Sequence, residues 1–380
     1  MNYIIISVIL FSIIIFVVGE QKRPFLNRKF LYFAYALILS LIFSLRDVTK
    51  TADTAEYVSI FIRANISQGL FTRIERYEPG YCAFNRLIKL ATNDYRVLFF
   101  LISIITYVLF YRFIRKEING FNISSNCMTE NTALPLTFLL LYTSYYGLLY
   151  NSIVMRACIA ICLIYLSASC FQENRNFWGV VLIVIAISFH QTAVLALPIL
   201  LIYLFDFRIK KRTAMIITIT LLFLYIIGIA NITTKFVSNV VSYLYTRFPN
   251  SSLLWWSSLS ITGKSTLNSE ISLYRLYSFI LLLILMIQND GDEYVDKNVT
   301  IAIIGMGILT LFGNLELMIR LAEYYMIATI FACYKYVSIL ESSINLLKFK
   351  NVTFIVNKIF FIIIISIIYY IVFLRNVIYV

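Results

Sequence analysis

FWGVVLIVIAISFHQTAVLALPILLIYLF, residues 177–205, runs for twenty-nine positions without a charged side chain. Helix is the conformation open to such a run, because a lipid-exposed backbone must satisfy its own hydrogen bonds. At 1.5 Å per residue one continuous helix would be about 43 Å long, too long for one upright span and short for two. The run lies between Arg175 and the cluster Arg208, Lys210, Lys211 and Arg212, and loops rich in Lys and Arg face the cytoplasm. One helix cannot begin and end on the same side. The sequence therefore predicts a pair of short helices or a re-entrant hairpin, bent at His190-Gln191 and supported by Pro198, with one strongly tilted helix as the plainer alternative.

The rest of the chain has the same character. Of 380 residues 61% are hydrophobic and 13% charged, and the mean hydropathy is +0.85, whereas a soluble domain carries about 25% charged and about 45–50% apolar residues. So few charges cannot cover a water-facing surface. Further apolar runs occupy 2–18, 30–45, 97–112, 134–150, 153–170, 214–230, 273–288, 299–313, 317–335 and 357–374. They are continuous rather than alternating, which excludes a β-barrel. At ~20 residues per span the expectation is an all-α polytopic membrane protein of about 11–12 transmembrane helices, a single integral membrane domain over 1–380 whose first helix is retained rather than cleaved.

Basic loops orient it. Lys22, Arg23, Arg28 and Lys29 follow the first run, and Arg112, Arg115 and Lys116 the third. Placing both sets inside makes 46–96 a long periplasmic, partly amphipathic segment, with eight basic and six acidic residues. It also makes 231–272 a second periplasmic loop and leaves 206–213 and 336–356 cytoplasmic. The net charge of +13 then belongs to topology and anionic lipid head groups, and no nucleic-acid partner is expected. Six cysteines without a CxxC or Cys/His cluster indicate neither a disulfide framework nor a metal site. There is no Walker A motif, and no internal repeat supports a transporter.

Ionisable residues in or beside spans are costly and therefore candidates for function. Four groups stand out: Arg46 and Asp47 with Asp53, Thr54 and Tyr57; Arg73, Glu75, Arg76, Tyr77, Glu78, Pro79 and Gly80 with Asn85 and Arg86; Asn151 and Arg156 with the only histidine, His190; and Glu316, Arg320, Glu323, Tyr324 and Tyr325. Each has a bland alternative. Arg46 can end a span by snorkelling, Asp53 and Glu78 can be solvated loop carboxylates, and His190 can be a satisfied polar residue in a helix bend. Arg320 has the spacing of a helix-face salt bridge with Glu316 or Glu323. On the topology above, however, all four groups reach the outer side, and arginines, a histidine and carboxylates at one membrane face describe a site for an anionic substrate. Arginine suits phosphate through its planar fork of donors.

The stretches SLRDVTKTADTAEYVSIF (44–61), YEPGYCAFNRLIK (77–89), NSIVMRACIAICLIYL (151–166), FHQTAVLALPILL (189–201) and RLAEYYMIATI (320–330) resemble, in order, the signatures of EpsG-like, Wzy-type polysaccharide polymerases. Ala52 stands where the family often has glycine, and Ala157 where glutamine is frequent. The resemblance implies a GT-C-like fold and an O-antigen or related surface-polysaccharide polymerase in the bacterial inner membrane, its active site facing the periplasm. Undecaprenyl-diphosphate-linked glycans are the implied partners in a membrane-lipid setting, and a chain-length regulator is a further candidate. Transfer to the non-reducing end of the incoming unit releases undecaprenyl diphosphate, whose negative charge needs preorganised cations. Arg156, Arg320 and Arg46 are the candidates in that order, with Asn151, Tyr57 and Tyr324 beside them. Inversion at the anomeric carbon requires a base for the acceptor hydroxyl, and His190, Asp53 and Glu78 are the candidates. A carboxylate beside arginines titrates low, which favours His190 for proton transfer and Asp53 for positioning. No cofactor is expected, arginine taking a metal's electrostatic role. The rival readings are a lipid-linked oligosaccharide flippase and a membrane glycosyltransferase using a monosaccharide phospholipid.

Overall fold

Short polar side chains cap the start of some helices, and apolar side chains carry them. Asn27 Oδ1 accepts from Lys29 N at 2.9 Å and opens α1, Arg28–Ser44. Asp94 Oδ1 accepts from Arg96 N at 2.9 Å and opens α4, Tyr95–Ser125. Each satisfies backbone donors that the first helical turn leaves unpaired. Between them lie α2, Thr54–Arg63, and α3, Pro79–Ala91, with proline at the first helical position, where its missing N–H costs nothing. Then come α5, Leu134–Tyr142, a π-helical turn Thr143–Gly147, and α6, Leu148–Ser152. Next are α7, Met155–Gln172, α8, Asn176–Phe189, a 3-10 turn Gln191–Ala196, and α9, Leu197–Leu204.

This is a computed structural model, and it describes residues 12–14, 16, 27–48, 53–75, 77–125, 134–248, 272–288, 293–333, 362–368 and 370–371. Among them there is no strand, only an isolated bridge between Lys210 and Tyr294. Most of the runs 2–18 and 357–374, the segment 336–356, and Lys22, Arg23, Arg76 and Cys127 lie outside the described residues. The chain forms two compact units, 1–204 with 337–380, and 205–336.

In the first unit α1 runs antiparallel to α4. Tyr32 Oη donates to Tyr107 O at 3.0 Å, Ser40 Oγ to Ser103 Oγ at 3.2 Å, and the Arg46 guanidinium lies 3.8 Å from the Phe99 ring centre. α7 runs parallel to α4: Phe113 meets Tyr165 at 5.5 Å between ring centres, and Lys116 pairs with Glu173 at 2.8 Å. α5 packs between them through Phe110–Tyr142 at 4.8 Å and Tyr107–Tyr142 at 5.9 Å. Such ring pairs contribute about 0.5–1.5 kcal/mol each beyond the area they bury. One pole of this bundle therefore carries Arg28, Arg112, Arg115, Lys116 and Arg175, and the other carries Arg46, Phe99 and Asn151.

The 177–205 run does break where the length arithmetic places the bend. α8 leaves the basic pole, where Ser167 Oγ donates to Gly179 O at 2.8 Å. It ends at His190, whose extended backbone (φ −153°, ψ 112°) stops the helix. α9 then returns along α7, so that Tyr203 meets Tyr165 at 6.3 Å. The chain reverses at His190.

In the second unit α10, Lys211–Ile226, and α11, Ile229–Arg247, meet at a 74° bend. Gly228 permits it by taking φ +74°, a left-handed backbone that side chains with a Cβ disfavour. α12, Leu273–Gln288, and α13, Lys297–Phe312, follow, and Arg275 Nη2 closes the end of α13 on Gly313 O at 2.8 Å. α14, Glu316–Met326, carries Arg320 and Tyr324.

The described residues hold two helices long and apolar enough to cross a membrane, within Tyr95–Glu117 and Met155–Gln172, or three with the bent α10–α11 pair counted as one span. α8, α12 and α13 are apolar as well but shorter, at 14, 16 and 16 residues. One expectation changes. The segment 231–272 is not loop throughout: its first part belongs to α11, and 249–271 lie outside the described residues.

Candidate active site

Glu78 precedes a proline, which holds it extended (φ −68°, ψ 146°). Its side chain does not cap α3 and turns instead toward the reversal at His190. Gly80 makes this approach possible. A Cβ there would stand 2.2 Å from Ser188 Oγ and 2.8 Å from Ser188 O, so the start of α3 lies directly on the end of α8. Phe84 and Phe189 extend the seam at 5.8 Å between ring centres.

The Glu78 carboxylate is shared three ways. Oε2 accepts from Arg156 Nη1 in a short ion pair. Oε1 faces His190 Nδ1 at 3.2 Å and accepts from Gln191 N at 3.1 Å. The side chains of Glu78, His190 and Arg156 are 5%, 8% and 16% exposed. Burial by itself would raise the Glu78 pKa, but the His190 hydrogen bond, the Arg156 charge and the Gln191 N–H outweigh it and hold the group at about 2. An ionised carboxylate only accepts, so His190 Nδ1 carries its proton toward Glu78, and in the neutral ring Nε2 then bears the lone pair.

Three tyrosines collar the cation. The Arg156 guanidinium lies 4.3 Å from the Tyr77 ring centre, 5.7 Å from Tyr81 and 5.9 Å from Tyr57. Tyr77 hydrogen-bonds Glu56, and burial first and this bond second push its hydroxyl pKa up, so it stays a donor. Arg156 Nε is buried without a hydrogen-bond partner.

Beside this cluster Arg46 is a strut. Its guanidinium donates to Phe43 O at 2.9 Å, Asn151 O at 3.0 Å and Thr54 Oγ1 at 3.3 Å, and touches Met155 Sδ at 3.1 Å. It thereby ties the end of α1 to the start of α2 and to the α6–α7 junction that carries Arg156. Asn151 Nδ2 reaches Tyr107 Oη at 3.5 Å, and its Oδ1 is buried without a partner. Asp53 sits exposed at the start of α2 in a left-handed backbone, φ 61°, its side chain not capping the helix. Arg86 is buried and grips the preceding loop through Asn65 O, Leu70 O and Thr72 O at 3.0, 2.8 and 2.6 Å.

The structure thus joins Glu78, Arg156, His190 and Tyr57, sets Arg46 and Asn151 next to them, and leaves Asp53 at an exposed helix start. Arg320 and Tyr324 belong to the second unit, where Arg320 acts electrostatically on Glu323 and Tyr324 is buried. Tyr77 belongs to the candidate groups read from the sequence, whereas Tyr81, Glu56 and Gln191 do not. Tyr81 stands three residues after Glu78 in the quoted motif, and that adjacency is the signal that could have found it.

The EpsG family matches this sequence over residues 29–379, nearly the whole chain. The chain belongs to the EpsG family. No curated protein and no solved structure gives a significant match. EpsG is a family of the Wzy-like polymerase type, so this EpsG chain is a polymerase-like membrane protein of polysaccharide synthesis, and every residue of the cluster around Glu78 falls inside the match.

In the EpsG chain the Gly80–Ser188 approach sets the Glu78–His190 distance. Gly80→Ala is expected to push α3 off α8 and, on the polymerase reading proposed below, to lower polymerisation by about 100-fold, the effect of an ångström's displacement at a reacting site. Ser188→Gly in the same chain removes two of the three close atoms and should recover part of it. Glycan ladders normalised to protein level are the readout.

Proposed function

We propose that this protein polymerises undecaprenyl-diphosphate-linked oligosaccharide repeat units of O-antigen or a related surface polysaccharide, by inverting, metal-independent glycosyl transfer at the periplasmic face of the bacterial inner membrane. The observation that carries this is the Glu78 carboxylate shared by His190 and Arg156. It orients a base through Nδ1 and holds a guanidinium in the same few ångströms. The acceptor hydroxyl oxygen attacks the anomeric carbon of the growing chain and its proton passes to His190 Nε2. The bond from that carbon to the phosphate oxygen breaks, its electron pair leaves with undecaprenyl diphosphate, and the imidazolium later returns the proton to water. Arg156, with a donor still unspent at Nε, receives the developing charge of the leaving diphosphate. Arg46 and Asn151 hold the α6–α7 junction in place, Tyr57 confines the guanidinium, and Asp53 positions the acceptor. On this reading the fold is GT-C-like, and a chain-length regulator is an additional partner.

The two poles support this orientation. Arg112, Arg115, Lys116 and Arg175 lie at the pole opposite the cluster, and an excess of Lys and Arg in short loops favours the cytoplasmic side, which is consistent with a cluster facing outward.

The surface glycan of a deletion strain tests the reading. A polymerase loss leaves lipid A core capped with a single repeat, whereas core with no repeat at all would assign the protein to translocation instead.

A further inference from the structure

The segment between α1 and α4 exposes large apolar side chains that the site does not use. Ile62 is 63% exposed, Ile66 44%, Phe71 67%, Leu87 51% and Leu90 64%. They share one neighbourhood. Lys89, between Leu87 and Leu90 on α3, donates through Nζ to Ile62 O, and Arg86 binds Asn65 O, Leu70 O and Thr72 O. The contacts of these two cations thus bring the end of α2, which bears Ile62, and the loop bearing Ile66 and Phe71 up against the helix bearing Leu87 and Leu90.

The stripe is continuous with the apolar outside of the bundle. Phe84, Leu87 and Leu90 follow one another at three-residue steps along α3, and Phe84 meets Phe189 at the end of α8, whose Val184 and Ile185 are exposed in turn. Cationic side chains flank the same positions: Arg63 beside Ile62, Arg73 two residues past Phe71, and Lys89 beside Leu90, with Arg96 at the start of α4. Arg63 is paired with Glu75, and Asp94 caps α4, so cations outnumber carboxylates here. A segment with an apolar face and a basic rim lies in the plane of the bilayer interface, its apolar side chains among acyl chains and its cations at phosphates.

We infer that α3, the end of α2 and the 64–73 loop form an interfacial platform that rests on anionic phospholipid at the site pole of the first unit, its apolar stripe sunk into the head-group and acyl boundary. This rests on the reading of the bundle as membrane-spanning. It places Glu78, at the start of α3, at head-group depth, the level of a lipid-borne diphosphate.

Depth decides it. Phe71→Trp and Leu90→Trp replace one exposed apolar group by another, and Asn93→Trp, in the exposed turn after α3, is the polar control. The full-length protein is reconstituted into vesicles of phosphatidylethanolamine and phosphatidylglycerol. Emission added over wild type by the first two variants should fall by more than half with lipids brominated high on their acyl chains and resist aqueous iodide, with the control reversed. Quenching of either test indole by iodide and not by bromolipid overturns the platform. Because no turnover is measured, that result beside a normal glycan ladder would leave the polymerase reading standing.

Discussion

Glu78→Gln is expected to lower the initial rate of polymerisation by on the order of 10²–10⁴-fold in purified enzyme supplied with a lipid-linked repeat, with the protein still made and inserted. The amide is neutral, so Arg156 loses its counter-charge in a buried position, and removing one partner of a buried pair costs about 3–5 kcal/mol. The amide can also present its N–H₂ to His190 Nδ1, which moves the imidazole proton to Nε2 and takes away the lone pair that accepts the hydroxyl proton. A pH signature separates this from general damage. The folded pKa of Glu78, about 2, lies below its ordinary 4.5. Its contribution to stability is therefore complete above about pH 4.5 and is lost as pH falls from there toward 2. Wild-type protein in detergent should lose thermal stability across that window, and Glu78→Gln should lack this component. A variant that keeps most of its rate and the same acid slope would return Glu78 to the role of an ordinary loop carboxylate.

Arg156→Ala should remove detectable ladder, a loss of at least about 100-fold if the guanidinium meets charge that develops in the transition state. Arg156→Lys should restore little. A guanidinium can hold Glu78 through Nη1 while Nε still faces a phosphate, whereas an ammonium is a compact point charge that cannot span both. The tyrosine collar sharpens the contrast, since planar guanidinium fits against rings that an ammonium does not fill. Equal rescue by lysine would mean that position 156 only neutralises Glu78. Comparing kcat with KM for the lipid-linked substrate shows which term moves, because an interaction made only in the transition state lowers kcat and kcat/KM together.

The reversal at His190 was legible because two local facts collide there: a run too long for one span, and the chain's single histidine at mid-length. Helical character was equally legible, since uncharged runs leave the backbone no other partner. α11 was not. Asn231, Thr233, Thr234, Lys235, Ser238 and Asn239 interrupt its apolar residues, so a reading tuned to continuous hydrophobicity takes an amphipathic helix for loop. The meeting of Glu78, Arg156 and His190 spans up to 112 positions of sequence, and no spacing rule reaches that far. Motif order suggested the same residues without saying which touch. Arg46 shows the complementary limit. Its type and its place at a helix end suit phosphate as well as carbonyl oxygens, and only the folded positions of Phe43, Asn151 and Thr54 show where its donors go. Asp53 looked equivalent to Glu78 in sequence, yet the proline after Glu78 and the glycine after that carry one carboxylate inward while the other stays at an exposed turn.

The turn at His190 also bears on how the protein is made. Residues 177–204 leave the ribosome as one uncharged stretch, which the insertion machinery meets as a candidate single span. In the folded chain Gly179 and Tyr203 both lie toward Ser167 and Tyr165 on α7, and on the orientation proposed above the stretch enters as a loop with both ends held back. The imidazole at the tip travels deepest. Its partners are already there: Glu78 is synthesised 112 residues earlier, and Arg156 with α7 before α8 begins. Order of synthesis thus spares the tip from crossing hydrocarbon without a carboxylate waiting, and a circularly permuted chain that delivered 177–204 first would have to insert that imidazole unpaired.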